Sequence, residues 1–160
     1  MPRRRTRRNW DEQPTAHCDV LLASDGRGGF SEGAVAQAAA LSGTTPVAVV
    51  TLARIYGTRF GVPHPGLLPT KMELAERQEW VATAIRQLHK RGIDADGQVA
   101  ATRKPARKLA EIVKTRGAQR VVIDETSSKG LRRLIEGDVG SELKRKLRKS
   151  GVEVHIVSSA

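Results

Sequence analysis

Short apolar runs set between helical periodicities constrain this chain more than any other feature. Val20–Ser24, residues 46–52 and the trio Val121, Val122 and Ile123 are apolar at successive positions but for Ser24 and Thr51. Such runs are too short for surface helices and suit strands buried on both faces. Residues 94–102 form a weaker strand, with little apolar weight at Gln98, Val99 and Ala101, which places it at a sheet edge. Residues 152–157 form the last strand, after Gly151. Between them lie four helical segments. An Ala-rich stretch over 33–42 is apolar nearly all round. A second opens at the capping box Thr70-Lys71-Met72-Glu73, carries Leu74, Val81, Ile85 and Leu88 on one face, and ends near Gly92. Pro105 takes a first helical position, Leu109, Ile112 and Val113 face inward, and Gly117 closes that helix. In the last, opened by Asp138, Val139, Leu143 and Leu147 recur every four residues. Five strands alternating with four helices predict a three-layer, doubly wound α/β domain with a parallel sheet and right-handed crossovers. Periodicity alone leaves the strand order open.

At 160 residues the chain suits one domain. Residues 1–16 hold Arg3, Arg4, Arg5, Arg7 and Arg8 before any periodic pattern and are expected to be a disordered basic tail, with the folded domain over 17–160. Cys18 is the sole cysteine, so no intrachain disulfide forms. No apolar run nears the ~20 residues that span a bilayer, and no signal-peptide core follows the basic start. These features lead to the expectation of a cytoplasmic protein with no membrane partner.

Catalytic signatures are thin. Gly26-x-Gly28 has Ser31 where a dinucleotide fingerprint needs its third glycine, and no GxxxxGK[ST] loop occurs. His17, His64, His89 and His155 lack metal-ligand spacing, and no serine stands in a nucleophile elbow. Asp19 beside Cys18 raises rather than lowers a thiol pKa. The expectation is a non-enzyme. Asp25, Asp124, Glu125 and Asp138 all fall near the carboxyl edge of the expected sheet, a set that would suit magnesium. A phosphoacceptor site would need a second acid beside Asp25, where Ser24 and Gly26 stand.

Two stretches resemble the universal stress protein family, and the resemblance extends over about 18–157. One is the first strand running into Asp25-Gly26. The other is Gly130 to Val139, which is similar to the family's loop into Gly-Ser-Val. The resemblance implies a Rossmann-like sheet of order 3-2-1-4-5 and a non-enzymatic stress-response or regulatory role. It also implies an adenine nucleotide between the ends of strands 1 and 4. Asp25 would then hold the adenine or ribose side and Leu52 would line the base pocket. Gly130, Gly137, Asp138 and Val139 would lie along the phosphates, with backbone N–H groups of Gly137 and Val139 as donors. ATP-binding members carry Gly, two residues, Gly, nine residues, Gly, then Ser or Thr. Here those positions are Asp124, Ser127, Gly137 and Asp138, so the third glycine alone is kept. A carboxylate where the family has a hydroxyl repels phosphate: two unit charges 4 Å apart cost about 1 kcal/mol in water and about 4 kcal/mol at an effective dielectric near 20. Lys129, Arg132 and Arg133 flank the loop and would offset part of this. The expectation is a degenerate nucleotide crevice with no cofactor assigned. The alternative is a working ATP sensor of the same family.

A formal net charge of +11 implies attraction to polyanions. Arg107, Lys108, Lys114 and Arg116 on the third helix would join Lys144, Arg145, Lys146, Arg148 and Lys149 on the fourth and the N-terminal arginines. This supports a second alternative, non-specific nucleic-acid binding. With five aromatic residues in the chain, a stacking platform for single strands is not expected. The last strand should lie at an edge, and family members pair it across a two-fold axis. A homodimer through Val154 and Ile156 is therefore expected.

Overall fold

The computed structural model describes residues 10, 13–55, 68–126 and 139–159. Its elements in chain order are β1 Val20–Ser24, α1 Glu32–Leu41, β2 Val47–Arg54, α2 Lys71–Lys90, β3 Ala95–Thr102, α3 Pro105–Arg116, β4 Arg120–Thr126, α4 Val139–Leu147 and β5 Glu153–Ser159. All the strands pair in parallel, in the order β3-β2-β1-β4-β5. This is the order that the resemblance implied and that periodicity left open.

The sheet separates two cores, as the period-2 alternation of its strands requires. Val20, Leu22, Val47, Val49 and Val122 point toward α1 and α2, where they meet Val35, Val81, Ile85 and Leu88. Leu21, Ala23, Val50, Leu52, Val121 and Ile123 point the other way, under Leu109 and Val113 of α3 and Leu143 and Leu147 of α4. β1 and β2 are buried at every residue, β3 only in part, so the weak apolar weight of β3 did report an edge. β2 runs past residue 52 to Arg54 because β3 pairs with it that far, Arg54 opposite Thr102. The α2 cap is present, Thr70 Oγ1 accepting from Glu73 N at 3.1 Å. Leu74, in the first turn, is only half-buried, and Ala84 takes a core position instead.

At the amino end of the sheet the structure corrects one expectation. Arg116 is not part of a solvated basic stripe but is 1% exposed. Its guanidinium forks onto the Asp96 carboxylate, Nη1 to Oδ1 at 3.1 Å and Nη2 to Oδ2 at 2.6 Å, while Nε donates to Ala16 O. At the last turn of α3 the side chain faces the sheet, where β3 begins and where the chain enters β1. The segment before residue 17 touches the domain at further points. Gln13 hydrogen-bonds Gln98, and Trp10 packs half-buried against the α1/α2 core. The tail arginines lie outside the described residues. Cys18 is fully enclosed, and burial pushes its thiol up to about 11, with Asp19 only a minor contributor.

Candidate functional site at the carboxyl edge

β1 ends in a tight turn that shapes the edge of the crevice. Ser24 Oγ accepts from Gly26 N at 3.1 Å and donates to Gly28 O at 2.8 Å. Gly26 has φ +86°, and a Cβ there would stand 2.6 Å from Leu52 O, so only glycine lets this turn press against the end of β2. Asp25 is buried: its Oδ1 accepts from Arg27 N at 3.0 Å and its carbonyl accepts from Arg54 Nε at 3.0 Å.

Leu52 meets this edge through its carbonyl. Its side chain is fully enclosed in the α3/α4 core, the same cluster that holds Val139. The carbonyls of Leu52 and Gly26 are bridged by Arg77 of α2, whose Nε donates to Leu52 O at 3.4 Å and Nη2 to Gly26 O at 3.1 Å. The guanidinium carbon lies 4.9 Å from the centre of the Trp80 ring, which backs it on the same helix. A cation therefore sits where the carried-over positions would place the base and ribose.

The end of β4 is engaged in a matching way. Successive residues of a strand point to opposite faces, and the acids Asp124 and Glu125 do so here. Asp124 turns to the α1 side and is 2% exposed, its Oδ2 accepting from Ser31 N at 2.6 Å. Ser31 is the α1 N-cap, with Oγ accepting from Ala34 N at 3.2 Å, so this carboxylate fixes the start of α1. Its Oδ1 is enclosed and has no hydrogen-bond partner among the described residues. Glu125 turns to the α4 side, where Oε1 accepts from Gly140 N in the first turn of α4. A Cβ at Gly140 would stand 2.5 Å from that oxygen, so the missing side chain is what admits the carboxylate.

Of the expected site residues, Asp25 and Leu52 are brought together through the turn at Gly26. Val139 begins α4 beside the Glu125 contact. Gly130, Gly137 and Asp138 lie outside the described residues, as do Lys129, Arg132 and Arg133. Among the described residues no group of three His, Cys, Asp or Glu side chains is arranged to hold a metal ion. Arg77 and Ser31 were not singled out from sequence as site residues, and Glu125 was singled out only as one of four acids suited to magnesium. For Arg77 the available signal was the Arg77–Trp80 spacing of three on a helix.

No protein-family model matches the sequence, and no curated protein does. Solved structures do match. A universal stress protein from Archaeoglobus fulgidus, in complex with dAMP, is 16% identical, with a TM-score of 0.57 over 88% of this chain and 97% of its own. The chain has the universal stress protein fold. A family member from Burkholderia pseudomallei is 18% identical at a TM-score of 0.51, covering 91% of this chain and 100% of its own. A universal stress protein in complex with cAMP is 17% identical at a TM-score of 0.53, with the same coverage. Among the described residues no helix is long and apolar enough to cross a membrane.

Proposed function

We infer that this is a non-enzymatic binding domain of the universal stress protein type, working as a cytoplasmic homodimer, whose nucleotide crevice is filled by its own side chains. The observation that carries this reading is the Glu125 carboxylate on the Gly140 N–H, at the helix N-terminus where the fold's relatives would receive phosphate. An anion already in place removes a donor and opposes a second anion. Asp124 puts an enclosed carboxyl group where the ATP-binding pattern has glycine, and Asp138 adds a further carboxylate by sequence. At the other end Arg77 takes the Leu52 and Gly26 carbonyls. The structural relatives bound to dAMP and cAMP carry monophosphates. Glu125 opposes the phosphates of ATP and Arg77 occupies the base and ribose end, so no step through ATP is assigned.

β5 supports the dimer. It is an edge of the sheet and pairs on one side with β4, and Ile156 on it stays 38% exposed while Val154 packs partly into the α3/α4 core. Titration calorimetry of nucleic-acid-free protein with magnesium-ATP tests the crevice: no heat up to millimolar nucleotide is expected, and micromolar binding would restore the ATP-sensor reading. The mass in solution tests the dimer, which a monomer at micromolar concentration would contradict.

A further inference from the structure

The two helical layers differ in charge. In the α1/α2 layer, Lys71, Arg77, Arg86, Lys90 and Arg91 are offset by Glu32, Glu73, Glu76 and Glu79. In the other layer each helix carries a single glutamate, Glu111 on α3 and Glu142 on α4. Around them Lys104, Arg107 and Lys114 are exposed on the α3 side, and Lys144, Arg145 and Lys146 on α4. Arg148 and Lys149 extend the row through the 3₁₀ turn that follows α4. The helices pack side by side over the same core, so these cations form one face. At its carboxyl-edge corner lies an open depression of about 290 Å³ between Arg103, Lys104, Arg107 and Lys108. Most of the fixed charge here is unneutralised, since the Glu111 pairs with Arg107 and Lys108 are long, 3.7 and 3.8 Å, and exposed.

We propose that the α3/α4 face binds the phosphate backbone of double-stranded nucleic acid, without reading its sequence. The polyanion is a duplex rather than a single strand because aromatic residues are on the wrong side. Trp10, Phe30 and Trp80 belong to the α1/α2 layer, and among the described residues none stands on the basic face, so bases find nothing to stack on. It is a nucleic acid rather than an anionic membrane because the face lacks apolar anchors. The exposed large hydrophobics among the described residues are Leu68, Met72 and Ile156, none of them on α3 or α4. α3 spans about 18 Å, and paired helices lie about 8–10 Å apart, a patch matched to one groove and its flanking phosphates. The binding is independent of the crevice and stands whether or not nucleotide enters it.

A random-sequence DNA duplex of about 20 base pairs, followed by anisotropy with the full chain, tests the proposal. With about six phosphates neutralised, log K should fall with log salt at a slope near −5, losing about a thousandfold between 50 and 200 mM. Neutralising the α4 row (K144Q, R145Q and K149Q together) should weaken binding at least tenfold and flatten the slope by about 2 to 3. The same number of changes on the opposite layer (K71Q, R86Q and K90Q) should alter affinity less than threefold. Both variants are exposed and charge-removing only, and their melting temperatures confirm folding. The proposal is overturned if the duplex is not bound at 50 mM salt, or if the two layer variants weaken binding equally. It is also overturned if replacing the five N-terminal arginines by alanine abolishes binding that the α4 variant keeps. Binding to phosphatidylserine vesicles but not to the duplex would overturn it in favour of a membrane surface.

Discussion

The two ends of the sheet each bring an arginine to backbone carbonyls, and the two are built differently. At the amino end Arg116 is sealed, forked onto Asp96 at 2.6 and 3.1 Å and tied to Ala16 O. At the carboxyl end Arg77 keeps 15% of its side chain exposed and reaches its carbonyls at 3.1 and 3.4 Å. The first arrangement is a lock, joining the start of β3, the end of α3 and the chain entering β1. The second is a plug, held by weaker bonds at the mouth of a crevice. Buried charge with full bidentate pairing is lost only with the fold, whereas a partly exposed charge on carbonyls exchanges with water or ligand at lower cost.

Breaking the lock should have the largest effect. Arg116→Leu leaves Asp96 without its partner and should cost about 3 kcal/mol, lowering the melting temperature by about 6–12 °C. A loss under 1 kcal/mol would put Arg116 on the same footing as Arg77. Next comes Asp124→Ala, which strands the Ser31 N–H at the start of α1 and should cost about 1–3 kcal/mol by denaturant unfolding. The lock also encloses Cys18, whose thiol is raised from 9.0 to about 11 mainly by burial, against the lowering pull of Arg116. A raised thiol binds its proton more tightly in the folded state. Its contribution is therefore complete below pH 9 and is lost as pH rises through 11. Melting temperature should fall over that window in the wild type more steeply than in Cys18→Ala. The carboxylate at the α4 N-terminus should matter least for stability. Glu125→Gln removes a favourable charge at the α4 N-terminus, worth about 0.3–1 kcal/mol, while its oxygen can still accept from Gly140 N.

The contrast between lock and plug also separates what could be read from the sequence. Strands of successive apolar residues, the Thr70 cap and the spacing of Val139, Leu143 and Leu147 declare themselves locally, and all are present. Asp25 and Leu52 were named through resemblance; the turn at Gly26 sets the end of β1 against the Leu52 carbonyl, while the Leu52 side chain, expected to line a base pocket, is enclosed in the α3/α4 core. What stayed hidden depends on contacts between residues distant in sequence. Arg116 looks like one more cation on a basic helix until Asp96, 20 positions away, closes on it. Glu125 and Gly140 meet over 15 residues, and Asp124 and Ser31 over 93, pairings that no periodicity encodes. The masking of a helix N-terminus by a strand-end carboxylate follows from which face of β4 each acid takes. That face is fixed by register, and register is a property of the folded sheet.

The most direct test compares the wild type with an R77A/E125Q/D138S variant by calorimetric titration with magnesium-ATP at moderate salt. Removing one opposing charge near phosphate is worth between about 1 and 4 kcal/mol, and each 1.4 kcal/mol is tenfold in affinity. The account predicts no heat from the wild type up to millimolar ATP and binding at least about tenfold tighter in the variant. Micromolar affinity in the wild type, unchanged in the variant, would contradict it.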